Sequence, residues 1–181
     1  MIITTNINTP LGTMLAGATD EGICLFEYEH RKMIDAIQKR ICNGLNTAMQ
    51  KGDHVHFKIL RTQIDEYFNG SRTIFNIPLH LVGSEFQKRV WNALLQIPFG
   101  ETRSYKQQSL LLGNEKAIRA VAGANGDNGI AIIVPCHRVI GENGSLTGYG
   151  GGLWRKKWLL QHETKYSGKA SQLSFFEEMK P

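Results

Sequence analysis

Ile132-Ile133-Val134-Pro135-Cys136-His137-Arg138-Val139-Ile140 is the stretch from which the rest of this chain can be read. Its apolar start shows no polar alternation and is too short for a stable isolated helix, so it predicts a buried strand. Pro135 cannot donate to a ladder and fixes φ for a turn, so the strand should end there. Cys136 is then expected at the mouth of a core element, its sulfur exposed and held in place by rigid backbone.

A free thiol has a pKa near about 8.5, and the thiolate is the nucleophile. An imidazole can take the proton directly or through water, and an acid behind it can fix the tautomer. His137 is the adjacent imidazole. Neighbouring side chains on extended backbone point apart, which favours a bridging water. Glu163 is the best-placed acid, because the apolar face from Trp154 to Leu160 would dock its helix against the core. Read from the residues alone, Cys136 has two interpretations, a reactive nucleophile or inert packing. Cys24 and Cys42 fit the second.

Upstream, residues 2–29 alternate apolar and polar side chains and break at Thr9-Pro10-Leu11-Gly12 and Thr19-Asp20-Glu21-Gly22, both turn chemistry. Three antiparallel strands follow, near 2–8, 12–18 and 22–28. Met33, Ile34, Ile37 and Ile41 share one helical face over 31–43. Phe57, Leu60, Ile64 and Phe68 do the same over 55–68. Residues 71–83 read as an extended connector. Ser84 with Gln87 is a capping box that opens a helix faced by Phe86, Val90, Trp91, Leu94 and Leu95. Ser104 with Gln107 is a second box, opening a helix to about Leu112. Asn114 can cap a third over 115–124. Two short helices across Gly113-Asn114 fit a helix-turn-helix or plain helical packing.

On that third helix Ala117, Ala120, Val121 and Ala124 fall on one side, and Arg119, Ala122 and Gly123 on the other. A major-groove reader carries several long polar side chains. A smooth Ala/Gly face instead allows close backbone approach, as a narrow minor groove demands, with Arg119 free to enter the base stack. The bland reading is a surface arginine on a packing helix. The glycine-dense run 141–152 lacks the Lys-Ser/Thr of a phosphate loop and suits close contact with a flat ligand, or a plain surface loop. A basic amphipathic helix from Leu153 to about Glu163 follows, then a loose tail over 166–181.

The chain has 181 residues, 41% apolar and 20% charged, the composition of an ordinary globular protein of one or two small domains. No apolar run is long enough for a membrane span, and no basic leader at the N-terminus suggests secretion. Three cysteines without short spacing argue for a reducing compartment and against a disulfide framework or a thiolate metal site. The net charge of +5 sits wholly in residues 84–165, which carry eleven Lys/Arg and six Asp/Glu, whereas residues 1–83 carry eight of each. A basic segment around Cys136 fits nucleic-acid binding or a solvated surface.

Pro135-Cys136-His137-Arg138-Val139 resembles the active-site motif of the O6-alkylguanine-DNA alkyltransferases. The resemblance extends over Ile97-Pro98-Phe99-Gly100-Glu101-Thr102, Ser104-Tyr105, Arg119-Ala120-Val121 and Trp158-Leu159-Leu160-Gln161-His162-Glu163. It implies an α+β chain: a small ribonuclease H-like sheet-and-helix domain over 1–83, a mainly helical DNA-binding domain with a helix-turn-helix over 84–165, and a tail over 166–181. It implies single-turnover repair of double-stranded DNA containing alkylated guanine, bound from the minor groove. The alkyl group, on guanine O6 and by extension thymine O4, would pass to Cys136, activated through water by His137 and Glu163. Arg119 would fill the gap left by the flipped base. Tyr105 would crowd the phosphate and hydrogen-bond a guanine ring nitrogen. Asn128 would brace the turn, the carbonyls of Cys136 and Val139 would receive the guanine amino group, and Tyr149-Gly150 would line the pocket. No cofactor, metal or membrane is implied. A monomer is expected, in the cytoplasm, nucleoid-associated in a prokaryote and nuclear in a eukaryote. The alternative is a damage sensor that binds flipped bases without chemistry; the relatives that do so lack the cysteine.

This chain departs from the family's usual pattern at Glu115, Ala122, Gly129 and Gly150. These departures bear on affinity and on the range of alkyl groups more than on the reaction.

Overall fold

Alternation in the first thirty residues produces an antiparallel meander. The strands are β1 (Ile2–Thr9), β2 (Gly12–Thr19) and β3 (Gly22–Tyr28). A further strand, β4 (Met49–Lys51), pairs parallel to β1, giving the order β3-β2-β1-β4. Only three residues long and mostly polar, β4 carries no hydrophobic pattern to betray it. The computed structural model describes residues 1–168. The expected tail therefore lies, from residue 169 on, outside the described residues.

Two helices cover the sheet. α2 (Val55–Phe68) buries Phe57, Leu60, Ile64 and Tyr67 in the main core, and α1 (Ile34–Leu45) buries Ile37 and Ile41 in a smaller cluster with Ile2, Cys24 and Leu25. Met33 does not join that face. It takes a left-handed φ of 73° and is 63% exposed, so the helix begins one residue after it.

β3 stands at the edge of the sheet yet is buried along its whole length. An open edge is a row of unpaired backbone groups. Here two later segments pair with it. Ile23 N–H donates to Pro78 O at 2.9 Å, and Ile23 O accepts from His80 N–H at 2.9 Å; Phe26 N–H donates to Gly129 O at 2.8 Å, and Phe26 O accepts from Ala131 N–H at 2.7 Å. The sheet is thereby stitched to the backbone just ahead of Cys136.

The basic half is helical. α3 (Glu85–Leu95) and α4 (Tyr105–Leu111) each start at a complete capping box, on Ser84 and Ser104. α3 turns Val90, Trp91 and Leu94 inward, whereas Phe86 and Leu95, expected on that face, are 37% and 38% exposed. Asn114 accepts from Lys116 N–H and opens a 3-10 turn, Glu115–Ala117. The α-helix proper, α5 (Ile118–Gly126), starts later and runs further than the spacing predicts. Val121, Ala124 and Asn125 are buried; Ala120, expected inward, is exposed beside Arg119 and Gly123. A two-residue parallel pair, β5 (Arg103–Ser104) with β6 (Val139–Ile140), and α6 (Leu153–Tyr166) complete the fold.

The run before Pro135 is not a strand. Only Ile130 bridges to the sheet; residues 131–133 form a buried turn with Ile132 at φ 71°. Val134 N–H closes the turn on Ile130 O at 3.0 Å. Left-handed backbone at a β-branched residue costs about 1–3 kcal/mol and persists only where the surroundings over-determine it. Those surroundings are Asn128, whose Oδ1 accepts from Ile130 N–H at 3.0 Å while Nδ2 donates to Val134 O at 2.8 Å.

Candidate active site around Cys136

Cys136 opens a 3-10 turn, Cys136–Arg138, that feeds β6. It is 8% exposed, not open to solvent as the sequence suggests. Burial pushes its thiol pKa up; the Asn128 side chain, hydrogen-bonded to Sγ at 3.3 Å, works against this. The resting group is a thiol, so its proton must leave during the reaction.

His137 is fully buried. One ring nitrogen, Nε2, lies 2.7 Å from Glu163 Oε1. Glu163 also accepts from Tyr67 Oη at 2.9 Å, from Arg138 Nη2 at 3.0 Å and Nε at 2.8 Å, and from Gly100 N–H at 3.1 Å. Burial alone would raise its pKa, but the His137 and Arg138 contacts outweigh that and hold it well below the ordinary carboxylate range. Burial also depresses the pKa of His137, which is the neutral member of the pair. An ionised carboxylate can only accept, so the imidazole proton sits on Nε2. Nδ1 is left as a bare acceptor, buried and without a hydrogen-bond partner among the described residues. No direct hydrogen bond between the imidazole and the sulfur occurs among the described residues.

The β5–β6 pairing sets Tyr105 beside this turn. Its hydroxyl donates to the carbonyls of Thr147 (3.1 Å) and Gly148 (3.2 Å) in the glycine-rich loop, and burial lifts its pKa to about 12. The carbonyl of Cys136 accepts from Val139 N–H, and that of Val139 accepts from Lys156 Nζ at 2.6 Å; each keeps a second lone pair. Lys156 is fully buried, also bonded to Thr147 O at 2.6 Å, and burial brings its pKa down to about 8. The hydroxyls of Tyr28 and Tyr149 are buried and interact with each other.

Cys136, His137, Glu163, Asn128 and Val139 thus form one connected cluster, with Tyr105, Tyr149 and Gly150 at its edge. Arg119 stands apart on the exposed side of α5. Sequence reasoning missed Tyr67, Arg138 as a ligand of Glu163, Lys156, and Glu27 with Arg31. Arg138 lay within the motif, but an arginine beside a histidine does not disclose a carboxylate twenty-five positions away.

Two family models match: "6-O-methylguanine DNA methyltransferase, ribonuclease-like domain" over residues 2–81 and "6-O-methylguanine DNA methyltransferase, DNA binding domain" over residues 85–165. A methylated-DNA–protein-cysteine methyltransferase of Mycolicibacterium paratuberculosis is 59% identical over 105 residues, 58% of this chain and 64% of the relative. The match thus spans less than two thirds of that relative's length. The enzyme of the same name from Methanosarcina acetivorans is 42% identical over 156 residues, 86% of this chain and 94% of the relative. The crystal structure of Mycobacterium tuberculosis OGT in complex with DNA superposes with a TM-score of 0.79 at 40% identity, covering 91% of this chain and 94% of that one.

Proposed function

We propose, from the premise that this chain belongs to the 6-O-methylguanine DNA methyltransferase family, that it repairs DNA by moving an alkyl group from guanine O6 to its own Cys136. The observation that carries the reading is the bare Nδ1 of His137, with Nε2 locked on an ionised Glu163. A buried acceptor with no partner is costly unless something fills it. A water between Nδ1 and the thiol does so, and gives the proton a path.

The S–H proton passes through that water to His137 Nδ1, and the imidazolium is held by Glu163. Sγ forms a bond to the alkyl carbon as the carbon–O6 bond breaks. The bonding pair stays on the guanine, whose anion takes up one proton from solvent while His137 returns its own through the water. The gains are a fixed sulfur and a pre-oriented acid–base pair in a water-poor site. The product is a thioether that water does not cleave, so each molecule reacts once.

The target atom is buried in a duplex, so the nucleotide must leave the stack. The exposed face of α5 suits base extrusion. Ala120 and Gly123 let the backbone approach a groove, and Arg119 is the side chain to occupy the vacancy. Tyr105, now bonded to the loop carbonyls, turns its hydroxyl to a guanine ring nitrogen, and Tyr149-Gly150 line the alkyl side. The free lone pairs of the Cys136 and Val139 carbonyls take the guanine amino group. Asn128 holds the sulfur and the turn together.

The test is intact-mass measurement after incubation with an oligonucleotide carrying O6-methylguanine. One methyl group on the Cys136 peptide, and no more with excess substrate, is the expected result. Tight binding with unchanged mass would instead make the protein a damage sensor.

A further inference from the structure

Arg31 lies in the turn between β3 and α1, about one hundred positions from the reacting sulfur, with its side chain 5% exposed. It forms an ion pair with the equally buried Glu27 of β3. It donates to Asn128 O at 2.7 Å and to the carbonyl of Gly126, the last residue of α5. Gly150 rests on the same guanidinium, so closely that a Cβ there would collide with it. One arginine of the sheet unit therefore touches the end of the DNA-facing helix, the turn whose Asn128 holds the sulfur, and the pocket loop. An arginine at a helix C-terminus meets the negative end of its dipole, and its fork can serve two carbonyls at once.

We propose that the Glu27–Arg31 pair is a positioning element for the transfer reaction, locking α5, the Asn128 turn and the Gly150 loop in register with Sγ. This rests on the alkyl-transfer reading above. The charges facing Cys136 make the pair electrically asymmetric. Arg31 and Lys156 of α6 favour the thiolate and Glu27 opposes it; the phenols of Tyr28, Tyr105 and Tyr149 and the neutral His137 complete the surroundings. A bond that only held the fold together would suffer alike from loss of either partner.

The experiment is single-turnover transfer from a free O6-alkylguanine base, followed by intact mass between about pH 6 and 9, with the full chain. Arg31→Gln should move the midpoint of the pH–rate curve upward and slow transfer at neutral pH by roughly tenfold per unit moved. Glu27→Gln should leave the midpoint in place or move it down. Arg31→Lys, which keeps the charge but loses the fork, should keep the midpoint and lose rate. Equal rate losses in all three that track their thermal stability, with the midpoint unmoved, would overturn the proposal. Should Arg31→Gln not fold, the other two variants still decide: a midpoint moved upward in Glu27→Gln, or an undiminished rate in Arg31→Lys, would overturn the proposal. A wild-type chain that takes up no alkyl group would overturn the functional reading instead.

Discussion

The two sides of Cys136 obey different rules. Behind it, His137 and Glu163 are fully buried, and both Glu163 oxygens accept from Arg138 and from a further donor, Tyr67 or Gly100. In front, α5 shows Arg119 among small residues, and the 141–152 loop is held to Tyr105 by hydroxyl–carbonyl bonds. A buried charge is tolerated only when fully paired, so the rear cannot adapt. On the proposed function, a surface that receives a base from any sequence cannot be so committed. The comparison teaches that the acid–base pair is fixed within the fold, whereas on the proposed function the exposed front is the side that adapts to DNA.

The largest effect should come from opening the rear. Glu163→Ala leaves Arg138 as a buried cation without its carboxylate and should lose about 3–5 kcal/mol in denaturant unfolding. Glu163→Gln preserves shape but not charge. It should slow transfer from a free alkylated base by about 10²–10⁴-fold, the usual worth of a positioned proton acceptor. Near-normal reactivity of Glu163→Gln would reduce the rear network to scaffolding.

Acid should find the same side. Burial holds the pKa of His137 below its ordinary 6.5, so the unfolded chain binds that proton first as pH falls. Glu163, held below its ordinary 4.5, contributes stability that is complete above that value and lost as pH drops through its folded value. Both signs agree: the urea midpoint should fall continuously from about pH 6.5 downward. A midpoint flat from pH 6.5 to 4.5 would mean that His137 is not buried in solution as it is here, and one flat below pH 4.5 that Glu163 lacks its cationic partners.

The front is tested by Arg119→Ala. This exposed residue can be lost with little change in stability. Repair of a duplex should slow by about ten- to a hundredfold, since unstacking a base step costs a few kcal/mol. Transfer from a free base should not change. Equal loss on both substrates would move Arg119 from the DNA face into the chemistry.

The same division explains what the sequence disclosed. Wherever one face was buried and the other wet, periodicity showed it, as in the meander and in α2. The capping boxes at Ser84 and Ser104 were legible because both partners lie within four residues. The run before Pro135 was misread because a segment buried on every side has no period, and nothing local announces a left-handed Ile132 or an Asn128 that bonds around it. Arg31 and Lys156 carried no local signal, since Lys156 is held by carbonyls, alike in every residue, and Arg31 by carbonyls and a buried glutamate that only the fold turns towards it. The motif made Cys136, His137 and Glu163 candidates; the environment that sets their protonation is assembled from β3, α2 and α6, which only folding brings together.

The smallest effect sharpens the comparison through the two caps. Ser84 Oγ accepts from Gln87 N–H at 3.2 Å and Ser104 Oγ from Gln107 N–H at 3.1 Å, so either serine-to-alanine change should cost about 1 kcal/mol. The helices they open differ. α3 has eleven residues and buries Val90, Trp91 and Leu94. α4 has seven, buries only the polar Gln108 and Ser109, and leaves Leu110 and Leu111 exposed. Ser84→Ala should therefore lower the global unfolding midpoint. Ser104→Ala should act locally, speeding amide exchange in α4 about fivefold with little movement of that midpoint. If both substitutions shift global stability alike, α4 and its Tyr105 belong to the rigid side, and the boundary between chemistry and recognition must be moved outward to Arg119.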